Sequence, residues 1–358
     1  MKTLRDFRQQ INSCSKCGLC QAQCPIYKIT GNDCSVSRGH FIMLQGLIKG
    51  DLKMSKTINR YLDLCLKCGK CTTFCPSGID VVGVIVSAKA EYFKTHPSAK
   101  IISSIQKNII FGLIPNIVNL FTPKTKSKTF EKKVLYYGGC GAKLTGTRAI
   151  TQILNAQEIE VIAPNFACCG ISAFTQGDLK SFNNSIENFI KIIKKYDITE
   201  IVTSCASCEK SLKDYIKWTD SEETKAYLEK LEIKNIYEYI RENNLKLKLK
   251  KREKVTYHKP CNINNFADIE WILNNTENLE YNALENIDEC CGLNGLSKIS
   301  EYKIMKNIFS KKRTSIKNTN AKIVLTSCLG CEIALKTYSR NDYKVFDLIN
   351  FIANRIEK

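Results

Sequence analysis

The feature that most constrains this 358-residue chain is a run of cysteines near its N-terminus that occurs twice with the same spacing. The first copy, S-C-S-K-C-G-L-C, spans 13–20 and continues to Cys24-Pro25. The second copy, L-C-L-K-C-G-K-C, spans 64–71 and continues to Cys75-Pro76. All four cysteines are offset by 51 residues, which indicates one duplicated unit.

The spacing C-x2-C-x2-C-x3-C-P is typical of [4Fe–4S] cluster binding. Three thiolates in a tight loop bind one cluster, and the fourth, followed by proline, binds the other. We therefore expect the first three cysteines of one copy to share a cluster with the fourth of the other copy. The predicted ligands are Cys14, Cys17, Cys20 and Cys75 for one cluster, and Cys65, Cys68, Cys71 and Cys24 for the second. Zinc sites usually have two separated C-x2-C pairs, so zinc is not expected here.

A longer duplication occupies the C-terminal two-thirds of the chain. V-L-Y-Y-G-G-C at 134–140 matches V-T-Y-H-K-P-C at 255–261, and each copy continues to Cys-Cys-Gly and then to C-x-x-C. Each copy offers five cysteines, one more than a four-iron cluster needs. The ten are Cys140, Cys168, Cys169, Cys205 and Cys208, then Cys261, Cys290, Cys291, Cys328 and Cys331. Metal-cluster binding is the preferred interpretation, with a redox-active dithiol or a zinc site as alternatives.

The hydrophobic patterns predict an α+β, multi-domain chain. A helical stripe ending at Gly50 predicts that the N-terminal domain is α-helical. In the later copies, short β-branched runs alternate with helix-period stretches, which predicts two repeated α/β domains with parallel sheets. The predicted domains are 1–97, an amphipathic and Lys-rich linker at 98–133, then 134–250 and 251–358. The predicted strands are 134–137, 159–162, 201–203, 255–257 and 323–326, and the C-x-x-C pairs are expected to open helices.

Composition limits the cellular setting. Nineteen cysteines in a long chain indicate metal binding, because disulfide frameworks belong mostly to short extracellular domains. The N-terminus MKTLRDFRQQ lacks the apolar core of a signal peptide, and no run of about 18 apolar residues predicts a membrane span. The expected location is the cytoplasm, with peripheral binding to the inner face of the membrane as the alternative. The net charge of +19 comes from scattered lysines, so no nucleic acid is expected as a partner.

Two further residues and one absence bear on the chemistry. His258 precedes the lone cysteine of the second copy, and three interpretations stay open: a hydrogen bond to a cluster sulfur, a proton carrier, or a structural histidine. Cys34 falls outside every set and is expected to be an ordinary thiol. No glycine-rich nucleotide loop follows a predicted strand, so neither flavin nor NAD is expected on this chain. No catalytic residue is assigned, and the organic redox chemistry is expected on a partner.

The chain resembles the iron–sulfur subunit of glycolate oxidase and its relatives, including the B and D subunits of heterodisulfide reductase. The likeness rests on C-S-K-C-G-L-C-Q-A-Q-C-P at 14–25, S-R-G-H at 37–40, L-D-L-C-L-K-C-G-K-C at 62–71 and the two Cys-Cys-Gly segments. It implies two N-terminal [4Fe–4S] clusters and an FAD-containing dehydrogenase partner that oxidises a 2-hydroxy acid such as glycolate or D-lactate. Electrons would then pass to quinone or another acceptor.

Both five-cysteine sets are complete here, which is more similar to heterodisulfide reductase. That resemblance implies one or two further noncubane [4Fe–4S] clusters and thiol–disulfide chemistry as the alternative function.

Overall fold

The computed structural model describes residues 1–97, 99–101, 126–140, 147–263, 265–292, 302–339 and 341–357. The chain divides into two compact units. The first contains Met1–Lys107, Ser172–Phe182 and Gly292–Lys311, and the second contains Asn108–Ile171, Asn183–Cys291 and Lys312–Lys358. Most of the predicted linker, residues 102–125, lies outside the described part of the chain.

The first unit is helical, as the sequence predicts. Phe7, Ile11, Ile26, Leu44 and Leu62 are buried in its core. The predicted apolar stripe lies in the helix Ser37–Lys49, which ends at Gly50 with a left-handed φ of 89°. The other N-terminal helices are Arg8–Asn12, Leu19–Gln23, Tyr27–Thr30, Lys56–Leu64, Lys70–Thr73 and Val81–Thr95, with 3-10 turns at Arg5–Phe7 and Asp33–Ser35.

A buried lysine fixes a later segment within the same first unit. The Lys89 ammonium is paired with Asp63 at 2.5 Å and donates to the Thr175 carbonyl at 3.0 Å. Thr175 lies in the helix Ile171–Gln176. Segment 172–182 is therefore held to the N-terminal helices by a charge-assisted hydrogen bond.

The second unit contains two parallel four-stranded sheets of the same topology. The first has the order β2-β1-β3-β4 and the second β6-β5-β7-β8. The strands are β1 Lys132–Tyr136, β2 Ile159–Ile162, β3 Glu200–Thr203, β4 Glu232–Asn235, β5 Lys248–Tyr257, β6 Glu277–Tyr281, β7 Ile323–Thr326 and β8 Lys344–Asp347. The prediction of repeated parallel α/β domains is confirmed, and β4, β6 and β8 are strands that the sequence pattern did not predict.

Helices cover both sheets, and the two sheets share one apolar core. That core includes Tyr136 and Val202 from the first sheet and Val255 and Tyr257 from the second. The helices of the repeats are Arg148–Asn155, Leu179–Ile193, Ala206–Trp218, Glu222–Leu228, Ile236–Glu242, Ala267–Asn275, Tyr302–Asn318, Leu329–Tyr338 and Leu348–Ala353. Among the helices that the structure describes, none is long and apolar enough to cross a membrane.

Candidate metal centres

The two N-terminal cysteine loops have the same backbone conformation. Lys16 and Lys67 adopt left-handed φ values of 59° and 51°, and Gly18 and Gly69 adopt φ values of 85° and 77°. Left-handed turns of this kind direct backbone N–H groups towards the inside of a loop. The Lys67 N–H accordingly donates to the Cys65 sulfur at 3.4 Å. The duplication therefore preserved a loop whose amide groups face its thiols.

One cavity of the first unit collects thiols from both loops. Its lining includes Cys14, Cys17 and Cys20 from the first loop and Cys75 from the second. Cys71, Ser37, Arg38 and Pro76 also line this cavity. The structure thus places the fourth cysteine of the second copy with the first three cysteines of the first copy.

The other N-terminal thiols group around Cys71. Burial raises the pKa of the Cys71 thiol, and the nearby thiols of Cys65, Cys68 and Cys24 raise it further. Burial likewise raises the pKa of Cys24, and the Cys65 thiol, followed by Cys20, raises it further. Cys24 therefore interacts with thiols of both loops, including Cys65 and Cys71 of the second. Crowded thiols without an intervening positive charge are typical of sites that bind soft metals as thiolates.

The start of the helix Ser37–Lys49 serves both groups of thiols. Against the larger effect of burial, the Ser37 hydroxyl acts to lower the pKa of Cys71, and the Arg38 backbone N–H acts to lower the pKa of Cys20. Because the N-terminal end of a helix is electropositive, it stabilises negative charge on these sulfurs. The segment S-R-G-H at 37–40 contributes to the family resemblance, but the sequence alone predicts no role for it.

Cys34 packs behind this helix start and does not line the cavity. A Cβ added at Gly39 would lie 2.9 Å from the Cα of Cys34, so glycine is required at position 39. The prediction that Cys34 is an ordinary thiol remains a prediction.

The later cysteines follow the carboxyl ends of parallel strands. Cys205 follows β3 and is the N-cap of the helix Ala206–Trp218, and Cys328 follows β7 as the N-cap of Leu329–Tyr338. The two C-x-x-C pairs therefore open helices, as predicted. The strand order reverses between β1 and β3 in the first sheet and between β5 and β7 in the second. Open α/β sheets bind ligands at the carboxyl ends of the strands on either side of such a reversal. Gly170 and Gly292, which end the Cys-Cys-Gly segments, have left-handed φ values of 75° and 82°.

Eight of these thiols form one continuous series across both copies of the second unit, in which each thiol perturbs the pKa of the next. The successive pairs are Cys140–Cys168, Cys168–Cys169, Cys169–Cys208, Cys208–Cys205, Cys205–Cys328, Cys328–Cys331 and Cys331–Cys291. Hydrogen bonds from Cys205 and Cys331 lower the pKa of Cys328, and the Ser207 hydroxyl lies 3.4 Å from the Cys328 sulfur. The two five-cysteine sets thus meet at Cys205 and Cys328. Cys261 is exposed.

Matching hydrogen bonds brace the two copies. Tyr136 and Ser204 share a hydrogen bond of 2.8 Å, and their equivalents Tyr257 and Ser327 share one of 2.7 Å. A polar cavity beside Cys205 is lined by Tyr136, by both serines and by two carboxyl groups, from Glu332 and Asp347. Burial raises the pKa of Asp347 to about 7, and the Glu332 charge contributes to the shift.

His258 lies at the second five-cysteine set. Its side chain is 1% exposed, and neither ring nitrogen has a hydrogen-bond partner in the described part of the chain. A ring nitrogen and the sulfurs of Cys291 and Cys331 all lie within 4.8 Å of one another. Burial, followed by the charge of Lys312, lowers the pKa of His258 to about 3, so the imidazole is neutral.

Lys312 is a buried cation at the same set. Its ammonium donates to the carbonyls of Asn286 at 2.7 Å and Ile287 at 3.2 Å. Burial lowers its pKa to about 8, while Glu289 and Cys290 oppose the shift. Sequence reasoning singled out His258 and missed Lys312, because a lysine in an amphipathic helix is indistinguishable from its solvated neighbours.

Two protein-family models match the chain. A 4Fe-4S dicluster domain matches residues 10–79, and a cysteine-rich domain matches residues 134–213 and again 255–336. The fold and its thiol-lined sites define an iron–sulfur protein associated with oxidoreductases. The chain belongs to the family that joins a dicluster domain to two cysteine-rich domains, whose members include iron–sulfur subunits of glycolate oxidase and D subunits of heterodisulfide reductase.

Individual relatives are distant but align over nearly the whole chain. A probable glycolate oxidase iron-sulfur subunit of Bacillus subtilis is 22% identical, over 91% of this chain and 88% of its own length. The D subunit of a dihydromethanophenazine:CoB–CoM heterodisulfide reductase of Methanosarcina acetivorans is 21% identical, over 97% of this chain and 94% of its own. Among solved structures, a hypothetical protein from Helicobacter pylori matches with a TM-score of 0.43 and 11% identity, covering 90% of this chain and 77% of that chain.

Proposed function

We propose that this protein is the electron-transfer subunit of an oxidoreductase complex. It would relay electrons from a partner FAD-dependent 2-hydroxy-acid dehydrogenase, acting on a substrate such as glycolate or D-lactate, to quinone or another acceptor. The names of relatives that align over nearly the whole chain support this function. The observation that carries it is that Cys75 lines one cavity with Cys14, Cys17 and Cys20, while Cys24 affects the pKa of Cys71.

The proposed cluster ligands follow that grouping. Cys14, Cys17, Cys20 and Cys75 would bind one [4Fe–4S] cluster, and Cys65, Cys68, Cys71 and Cys24 the other. The residues present fit such clusters, because each set offers four thiols and the Lys67 N–H donates to the Cys65 sulfur. When bound, clusters of this kind exchange electrons one at a time, which divides a two-electron flavin oxidation into single steps.

The chain's own residues tune this relay. Ser37 and the Arg38 backbone N–H each lower the pKa of one thiol, Cys71 and Cys20 respectively, and would stabilise added negative charge there. Cys17 is exposed and the other seven cysteines of the two loops are partly exposed, so a partner protein can dock directly above them. Further clusters would be held by the five-cysteine sets of the second unit.

An anaerobic preparation of the full chain tests the proposal. We expect about eight irons, matched by acid-labile sulfide, for the N-terminal unit alone. Mixed with the partner flavoprotein, the chain should be reduced when glycolate or D-lactate is added. Fewer irons, zinc in their place, or no reduction with any of these substrates would contradict the proposal.

A second candidate function is thiol–disulfide reduction in the cysteine-rich copies. The observation that favours it is the continuous chain of eight thiols across two complete five-cysteine sets. In that reaction one disulfide takes up two electrons and two protons, the S–S bond breaks and two thiols leave. The N-terminal clusters would supply the electrons. Absence of any noncubane cluster signal in the reconstituted chain would remove this candidate.

A further inference from the structure

The two cysteine-rich copies differ at one wall beside their thiols, which is formed by Tyr137 in the first copy and by His258 in the second. Tyr137 and His258 occupy equivalent positions, because each lies three residues before the lone cysteine of its copy. Each also donates its backbone N–H to the neighbouring strand, to Val202 and Leu325 respectively, at 2.8 Å. The same backbone position therefore carries a tyrosine in the first copy and a histidine in the second.

In the first copy this wall is aromatic and its one polar group is already occupied. The Tyr137 hydroxyl donates to the Ala167 carbonyl at 2.8 Å. Its ring packs against Phe166 and Phe189, with ring centroids at 4.7 and 5.7 Å. The wall therefore offers the thiols of the first copy no further ligand.

In the second copy the same wall is polar, and its ring nitrogens have no hydrogen-bond partner among the described residues. The His258 side chain that carries them is buried. Leaving such a group buried is unfavourable, and a bound ligand would relieve that cost. Lys312 replaces the aromatic neighbour, since it and Phe189 each lie sixteen residues before the first cysteine of a C-x-x-C pair.

We propose that His258 supplies a nitrogen ligand to the metal centre of the second cysteine-rich copy, beside Cys291 and Cys331. This inference rests on the proposed function only in taking that centre to be an iron–sulfur cluster. A ring nitrogen and both sulfurs already lie within 4.8 Å of one another, and a neutral imidazole is a good ligand for iron in mixed nitrogen–sulfur sites. Cys261, the fifth cysteine of this copy, is exposed, whereas His258 is buried among the other thiols.

The consequence is that the two copies have unlike centres. Replacing thiolate by imidazole removes negative charge from a cluster and raises its reduction potential. The buried Lys312 ammonium acts in the same direction. The second copy would therefore be the higher-potential centre, where electrons collect, and the all-sulfur first copy would pass them on.

Pulsed EPR of the full, anaerobically reconstituted chain tests the ligand directly. The chain has three histidines, so selective 15N-histidine labelling gives few signals. We expect a strong nitrogen hyperfine coupling on a reduced cluster, which His258→Gln abolishes and His96→Gln, the control, retains. His258→Cys should lose the nitrogen coupling but keep its iron, which separates loss of the ligand from failure to fold. His258→Gln should also retain iron at this centre at least about ten-fold less well against a chelator.

The outcomes separate this inference from the proposed function. A chain with its full iron but no histidine coupling that depends on His258 would overturn the inference and leave electron transfer intact. A chain that takes up no iron would contradict the proposed function, and cobalt(II) added alone would then test the site. Paramagnetic shifts of the His258 ring protons would support the nitrogen ligand, and their absence would overturn it.

Discussion

The chain contains two duplications, and they have diverged in opposite ways. In the N-terminal duplication both loops keep the left-handed lysine and glycine that shape them, so their thiols have similar surroundings. In the C-terminal duplication the bracing pairs Tyr136–Ser204 and Tyr257–Ser327 are kept. The walls around the thiols are not. Two centres that only relay electrons can have similar surroundings. A centre that binds a substrate or sets the direction of electron transfer needs different ones.

The divergence extends to the last strand of each sheet. Asn235 ends β4, pairs with Thr203 of β3 and is the N-cap of the next helix, and Asp347 has the same three roles in the second copy. The Asn235 amide donates to Glu209 at 3.0 Å, while Asp347 faces the charge of Glu332, the equivalent of Glu209. The second copy has therefore gained ionisable groups at several points.

The largest expected effect tests how the first duplication shares its ligands. Cys14→Ala and Cys75→Ala should each remove about four irons, because each should disrupt one cluster. The double variant Cys14→Ala/Cys75→Ala should lose no more than either single variant, since both thiols lie in one cavity. Cys14→Ala/Cys24→Ala should lose about eight. Iron and sulfide analysis measures both, with Cys34→Ser as the control that keeps full iron.

The opposite result, in which Cys14 and Cys24 behave as one site, would break the comparison. It would mean that each loop binds its own cluster without exchange.

Asp347 gives the next largest effect, on stability against pH. Its pKa is raised to about 7 in the folded chain from 3.8, so its protonated form is favoured by folding. This contribution is fully present below pH 3.8, falls as the pH rises to about 7 and is then constant. Asp347→Asn should therefore be more stable at pH 8 by up to about 4 kcal/mol, with little gain at low pH.

Urea unfolding followed by tryptophan fluorescence checks this, because Trp218 and Trp271 both lie in the second unit. The reciprocal variant Asn235→Asp should introduce the same pH slope into the first copy. Parallel pH profiles for wild type and Asp347→Asn would show that the two copies do not differ here.

A smaller effect tests the hydrogen bonds that the two copies share, Tyr136–Ser204 and Tyr257–Ser327. Tyr136→Phe and Tyr257→Phe each remove one hydroxyl that is hydrogen-bonded to a serine, so each should cost about 1 kcal/mol of unfolding free energy. Tyr257→Phe should cost somewhat more, because Ser327 is completely buried and loses its partner. Chemical denaturation measures both. A cost in one copy alone would mean that the bracing is not equivalent.

The smallest effect distinguishes the two N-terminal stations. Ser37→Ala removes the hydroxyl that lowers the pKa of Cys71 and should lower the reduction potential of a cluster bound there by on the order of 40 mV, equivalent to about 1 kcal/mol. The cluster at Cys14 is the internal control and should keep its potential. Redox titration followed by EPR resolves the two, and an equal shift of both would assign Ser37 to neither station in particular.

Much of the fold could be predicted from the sequence because its signals are local. The apolar β-branched runs of β1, β2, β3, β5 and β7 mark strands, and the cysteine spacing marks the loops. The runs E-I-K-N of β4, E-N-L-E-Y of β6 and K-V-F-D of β8 do not, because polar and charged residues interrupt their apolar pattern. All three form sheet edges, where charged residues are common, whereas the edge strand β2 keeps three isoleucine or valine residues out of four.

The candidate sites were only partly predictable for a different reason. Spacing within one copy identifies which cysteines belong together, but the contact between Cys205 and Cys328 depends on how two copies pack. The role of Ser37 depends on where a helix begins relative to a loop more than thirty residues away. Lys312 is buried only because Asn286 and Ile287 present their carbonyls to it.

The contact between Cys205 and Cys328 has a consequence for the stepwise reduction of the molecule. Two metal centres held by the two five-cysteine sets would repel each other's added charge, because little solvent would lie between them to screen it. Uptake at the two C-terminal centres should therefore be anticooperative, with the first electron making the second harder to add. Even two chemically identical centres would then titrate as separate waves, and the molecule would hold one electron over a wide range of applied potential.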